Sequence, residues 1–177
     1  TINLLYAGYL LELKGIHYIL EAVYTLVFNM GIKVKLTIIG EGPYEFKLKQ
    51  LTKELNLNPF VLWHGFLPSE ELILEFKKSD ILLLTSMSEN YGIVVAEALA
   101  LGVPVIVSKT TALNEFLNEP GCFGIEYPPD PVELSQLIID IYFQYVKVGP
   151  FSNKIRTWDK VASNYEQIYE KCLFSGE

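Results

Sequence analysis

With 177 residues, half of them hydrophobic, 13% aromatic and 20% charged, the chain has the length of one domain and the material for a packed core, which excludes disorder. Fourteen basic against 21 acidic residues give a net charge of -7, so no basic field exists to hold nucleic acid, and a bound phosphate must be gripped by a few local groups. Cys122 and Cys172, the two cysteines, stand fifty residues apart, a spacing that makes neither a disulfide framework nor a metal site and points to a reduced, cytoplasmic setting.

No signal peptide opens the chain; INLLYAG begins as a strand at residue 2, as though continuing from something longer. Ile2 to Ala7 predicts the first strand, and Ile16, Ile19, Leu20, Val23, Leu26, Val27 and Met30 then recur at helical spacing. Val34 to Ile39 is a second, β-branched strand, and Pro43 opens a predicted helix that runs to about Leu57. A short strand follows at Val61 to His64, then a helix near Glu70 to Lys78 and an apolar strand at Ile81 to Thr85. Ile93 to Leu101 predicts a helix and Val103 to Val107 a strand; Gly102 and Pro104 break this apolar run, and Glu97 interrupts it, so it is too short to cross a bilayer. A short helix near Leu113 to Leu117 leads to a last strand at Phe123 to Tyr127. Pro131 begins a long helix, and Trp158 to Leu173 forms another that closes the domain. Strands apolar throughout, each followed by a helix, predict an α/β, Rossmann-like, doubly wound parallel sheet of about six strands. Such sheets bind ligands beyond the carboxyl ends of their strands, which is where Gly8, Gly40, Gly65 and Gly92 fall.

The most informative segment is SENYGIVVAEALALGVPVIVS, Ser88 to Ser108, in which seven residues separate Glu89 from Glu97. A helix starting near Gly92 leaves its first-turn N–H groups unpaired and favours an anionic ligand at that end. Two carboxylates around such a site repel phosphate but accept hydrogen bonds from hydroxyls, so they fit a ligand with hydroxyls on either side of a diphosphate.

This segment resembles the E-x7-E signature of the retaining glycosyltransferases of family 4, which have the two-domain GT-B fold. The resemblance runs in order along the chain through GYLLELKG (Gly8 to Gly15), GEGP (Gly40 to Pro43), VLWHGFLPSEEL (Val61 to Leu72), SDILLLTSMSENYG, GVPVIVS, YPPDPVEL (Tyr127 to Leu134) and WDKVASNYEQIY (Trp158 to Tyr169). It implies that the chain is one half of a GT-B fold, the half that binds a nucleoside diphosphate sugar, with the N-terminal acceptor-binding domain absent and any peripheral membrane contact made through that domain. It further implies that Lys14 pairs with the diphosphate and stabilises charge on the departing nucleotide, and that Glu89 contacts hydroxyls of the donor sugar. Backbone N–H groups of Tyr91, Gly92 and Ile93 would lie near the sugar and diphosphate, Glu97 would hold the ribose hydroxyls, and Gly8, Tyr9, Gly40 and Leu67 would complete the donor site. The segment Val61 to Leu72 corresponds to the part that lines the nucleobase pocket. The reaction implied is metal-independent and needs no cofactor beyond the nucleotide-sugar substrate.

The chain departs from the family pattern at two places. Tyr9 stands where the family has an arginine and carries no positive charge, and SKTTALNE, with Ala112 and Leu113, replaces a glycine-rich turn. Lys109 is the residue placed to supply the lost charge. His17 and His64 read as structural, the family's acting histidine belonging to the other domain, and Tyr142, Phe143 and Tyr145 read as packing. Two rival readings share the architecture: a UDP-sugar epimerase, which the E-x7-E spacing opposes, and a module that binds a nucleotide sugar without turnover, which Tyr9 favours.

Overall fold

A computed structural model describes residues 1–144 and Ser163. The predicted helix over about 157–173, with Cys172 and Tyr145, lies outside the described residues. Six parallel strands, β1 (Ile2–Ala7), β2 (Val34–Ile39), β3 (Val61–His64), β4 (Ile81–Leu84), β5 (Val105–Ser108) and β6 (Cys122–Ile125), form one sheet in the order β3-β2-β1-β4-β5-β6. The described helices are α1 (Ile16–Tyr24), α2 (Glu45–Glu54), α3 (Ser69–Lys78), α4 (Ile93–Ala100) and α5 (Pro131–Gln144). This is the doubly wound, Rossmann-like arrangement expected from the alternation of strands and helices.

The central strands are apolar because both of their faces are covered. All four residues of β4 and all four of β5 are buried, and each fully buried Leu, Ile or Val side chain contributes about 1.5–3 kcal/mol. On one face α1 packs against α2 and α5, and the buried Ser135 hydroxyl donates to the Ala22 carbonyl at 3.0 Å to join α1 and α5. The chain reaches β4 from β3 at the sheet edge through α3, which covers the opposite face by the right-handed crossover rule. Asp130 starts α5: its Oδ1 accepts the N–H groups of Val132 and Glu133, both at 2.9 Å, with Pro131 at the position where a missing N–H costs nothing.

Several predicted boundaries shift for tertiary reasons. The first helix runs as α only to Tyr24 and continues over Thr25–Asn29 as a widened π turn, where the Thr25 hydroxyl donates to the Glu21 carbonyl at 3.1 Å. Pro43 sits in a turn one residue ahead of the cap of α2, Tyr44, whose N–H, without a helical partner there, donates to the Leu10 carbonyl at 3.0 Å. β5 starts at Val105, since the Val103 N–H still bonds the Ala98 carbonyl at the end of α4. The short helix after β5 is a 3-10 segment over Thr111–Phe116, and the last strand is Cys122–Ile125. Burial pushes the Cys122 thiol up to about 12, so it stays protonated at neutral pH. No described helix is long and apolar enough to cross a membrane.

Candidate functional site

β1 and β4 are neighbours in the sheet, and the connections that follow them diverge to opposite faces, which opens a crevice between their carboxyl ends. The loop after β1 is laid against the end of β2: the Gly8 N–H donates to the Ile39 carbonyl at 3.0 Å and the Leu10 N–H to the Glu41 carbonyl at 2.8 Å. Gly40 permits this crossing, since a Cβ there would lie 1.9 Å from the Gly8 carbonyl oxygen. The same loop is stitched to the end of β4. The Met87 N–H donates to the Leu13 carbonyl at 2.7 Å and the Thr85 hydroxyl to the Gly15 carbonyl at 2.9 Å. Gly15, at φ 66°, brings its Cα so close that a Cβ would stand 2.2 Å from the Thr85 carbonyl oxygen.

These ties deliver Lys14 to Glu89. The Lys14 Nζ lies 2.5 Å from the Glu89 Oε1, each side chain being only 16% exposed. The Ser86 hydroxyl donates to the same oxygen at 2.9 Å. The backbone of Glu89 is clasped by Thr111, whose Oγ1 accepts the Glu89 N–H at 2.9 Å and donates to the Glu89 carbonyl at 3.0 Å. Hydroxyls of Ser108 and Thr110 reach the Ser86 carbonyl at 2.8 and 2.9 Å. The SKTTALNE segment is thus a hydroxyl-rich brace for the Glu89 loop. Lys109 does not join it: its Nζ pairs with the Glu126 Oε1 at 2.7 Å. Gly92, at φ 86°, caps α4, and the N–H groups of Tyr91, Gly92 and Ile93 find no acceptor among the described residues. The Tyr91 ring rests edge-on against Phe116.

At the same carboxyl edge of the sheet lies a cavity of about 510 Å³, a size that suits a small organic ligand. Ala7, Gly8 and Tyr9 line it from β1 and the loop beyond, Ile39 and Glu41 from the end of β2, Phe66 and Leu67 from beyond β3, Leu72 from α3, and Val94 and Glu97 from α4. Gly8, Tyr9, Leu67 and Glu97 of the sequence-derived candidates therefore share one wall. Gly40 supports it from beneath, while Lys14, Glu89, Tyr91, Gly92 and Ile93 stand outside it. Sequence reasoning marks Glu41 only as part of a loop motif and misses its place in the wall. An acidic residue immediately past the second strand of a Rossmann-like sheet is a known signal for a hydroxyl or N–H contact, and that signal points to this side chain.

Among the described residues no cation lines the cavity. Its apolar surface and two carboxylates suit a flat group that carries hydroxyl or N–H donors; a phosphate fits better outside, toward Lys14 and the start of α4. Glu97 is exposed as a whole, and partial desolvation at the cavity wall raises its carboxyl above the ordinary value. A carboxyl raised in the folded state favours the fold below its ordinary value and loses that contribution as pH rises through the raised value. Glu97→Gln should therefore melt at the same temperature as the wild type near pH 4 and at an equal or higher one at pH 7.5. A mutant less stable at pH 7.5 than at pH 4, relative to wild type, would show that Glu97 has a stabilising ionic partner.

The histidines lie apart from the cavity. His17, on α1, stacks on Tyr18 at 4.0 Å between ring centroids, and its buried Nδ1 has no hydrogen-bond partner among the described residues. Burial lowers its pKa against the opposing pull of Glu21 and Glu12. His64 ends β3, where its carbonyl accepts the Gly40 N–H at 3.2 Å. Tyr142 packs on the core and Phe143 is exposed.

The family model for glycosyl transferases group 1 matches residues 2–145. An uncharacterized glycosyltransferase of Methanocaldococcus jannaschii is 27% identical over 177 residues, covering 96% of this chain and 45% of that protein. The alpha-monoglucosyldiacylglycerol synthase of Streptococcus pneumoniae is 35% identical over 95 residues, 54% of this chain and 21% of that one. Among solved structures, sucrose-phosphate synthase from Thermosynechococcus elongatus superposes with a TM-score of 0.83 at 23% identity, over 99% of this chain and 46% of that one. Anabaena HepE in complex with UDP-glucose gives 0.73 at 22% identity, over 95% and 43%. At these identities the structural likeness is one of fold. The chain spans less than half the length of each of these proteins.

Proposed function

Since the chain belongs to the glycosyl transferases group 1 family, we propose that it is the donor-binding half of a retaining GT-B glycosyltransferase of family 4. In this reading residues 1–177 make one Rossmann-like domain, closed by a helix over about 157–173, and an acceptor-binding domain outside this chain faces Glu89 across a cleft. The observation that carries the reading is that Glu97 lines an apolar cavity at the same carboxyl edge of the sheet as the paired Lys14 and Glu89. The nucleoside occupies the cavity, with its base against Leu67 and its ribose hydroxyls on Glu97. Gly8 and Tyr9 form the floor that Gly40 supports. The diphosphate crosses from there to Lys14 and the free N–H groups of Tyr91, Gly92 and Ile93, and the sugar hydroxyls meet Glu89. Breaking the sugar–phosphate bond leaves negative charge on the departing diphosphate, which Lys14 and the end of α4 stabilise.

The cavity and the carboxylate pair are tested separately by calorimetry on the chain. Glu97→Gln should weaken a nucleoside diphosphate about tenfold, because a charged acceptor for two hydroxyls becomes a neutral one. Glu89→Gln should spare the nucleoside diphosphate and weaken the nucleoside diphosphate sugar. Equal losses by both mutants on the nucleotide alone would refute this division of roles. A module that binds without turnover is the second reading; the uncharged Tyr9, 58% exposed at the cavity wall, favours it over an epimerase.

A further inference from the structure

We infer that Glu41 selects the base of the nucleotide, a role that rests on the donor-binding reading above. Glu41 is the second residue after β2 and lines the cavity beside Phe66, on the β2–β3 side of a wall whose other carboxylate, Glu97, comes from α4. Its position is fixed twice. The Glu41 carbonyl accepts the Leu10 N–H at 2.8 Å, and its Oε1 accepts the Phe66 N–H at 3.3 Å. Gly65 adjoins the carboxylate: a Cβ there would stand 2.9 Å from that Oε1 and shift the side chain. The second oxygen, Oε2, makes no hydrogen bond among the described residues.

An ionised carboxylate is an acceptor only. With no cation among the described residues of the cavity wall to neutralise it, Oε2 can be satisfied in a filled cavity only by an N–H or O–H of the ligand or by water. Glu97 approaches from α4 and takes the ribose hydroxyls, so the part of the ligand that reaches Glu41 is the base. Bases differ at that edge. Guanine carries a ring N–H beside an amino group, two adjacent donors for a carboxylate, whereas uracil flanks its ring N–H with two carbonyls and adenine and cytosine set a ring lone pair beside their amino group. The apolar neighbours Phe66, Leu67 and Leu72 supply contact with any base and distinguish none of them. Discrimination therefore falls to Glu41, and it favours guanine.

The test is calorimetric titration of the chain and of Glu41→Gln with UDP, GDP, CDP and ADP. The wild type should bind GDP at least about tenfold more tightly than UDP, CDP and ADP, as expected for one further hydrogen bond to a charged group. Glutamine keeps the bond from the Phe66 N–H and offers both a donor and an acceptor to the base, so the preference should collapse to about threefold or less. A wild type that prefers UDP, CDP or ADP, or does not discriminate, overturns the inference alone, as does a preference that survives in Glu41→Gln. If none of the four binds, the donor-binding reading falls and takes this inference with it. Should Glu41→Gln lower the melting temperature, the wild type's own ranking of the four nucleotides decides.

Discussion

Replacing Gly15 with alanine should destabilise the fold by about 3 kcal/mol or more. A left-handed backbone costs an alanine about 1–2 kcal/mol, and the new Cβ, at 2.2 Å from the Thr85 carbonyl oxygen, adds the strain of forcing two backbone segments apart, about 1–3 kcal/mol. Gly31 supplies the control, because it has nearly the same φ, 68°, but nothing lies within 4 Å of the position a Cβ would take there. Gly31→Ala should cost only the backbone part, about 1 kcal/mol. At about 2–4 °C per kcal/mol for a domain of this size, calorimetry should separate the two mutants by several degrees. Equal melting temperatures would mean that the loop carrying Lys14 is not held against β4.

The second large effect concerns Lys14. In a polypeptide that also carries the acceptor domain, Lys14→Ala should slow sugar transfer about a hundredfold, the scale of removing one preorganised charge-stabilising donor, while donor affinity changes much less. The reason lies in the free protein, where Lys14 is already engaged with Glu89 at 2.5 Å. A diphosphate that recruits Lys14 must displace that pairing, which offsets part of the gain in the ground state. The charge that develops as the bond breaks has no such counterpart in the free state, so the lysine is felt in kcat more than in KM. The same logic gives Glu89→Gln the opposite sign with nucleoside diphosphate alone: releasing Lys14 should leave binding unweakened or tighten it. A raised KM with unchanged kcat in Lys14→Ala would remove it from the leaving-group role.

The strands were legible because burial on both faces leaves an unbroken apolar run, as in Ile81 to Leu84, and the fold followed from their alternation with helices. Boundaries were less so, since contacts distant in sequence set them. Nothing within residues 40 to 57 announces that the Leu10 carbonyl will take the Tyr44 N–H at the cap of α2. The site divides in the same way. Gly8, Tyr9, Leu67 and Glu97, named from the family resemblance and the E-x7-E spacing, line one cavity. The Lys14–Glu89 pair and the clasp of Thr111 on Glu89 join residues 75 and 22 positions apart, and no local pattern records such a meeting.

The order of the strands has a consequence for how the chain acquires its structure as it is synthesised. β1 is made first yet lies in the middle of the sheet, between β2, which starts at residue 34, and β4, which starts at residue 81. The Asp80 carboxylate, which accepts the Asn3 backbone N–H at 2.7 Å and its side-chain N–H at 3.1 Å, closes that seam only when its own segment has left the ribosome. Until then β1 can pair on one side alone, and the nascent half-sheet presents its most apolar strand as an open edge. Closing a loop of this length before the pairing is rewarded slows parallel sheets and lengthens the interval in which such an edge can recruit a wrong partner. The two backbone seams on which the crevice depends, β1 with β2 and β1 with β4, are therefore completed at different times in the life of each molecule.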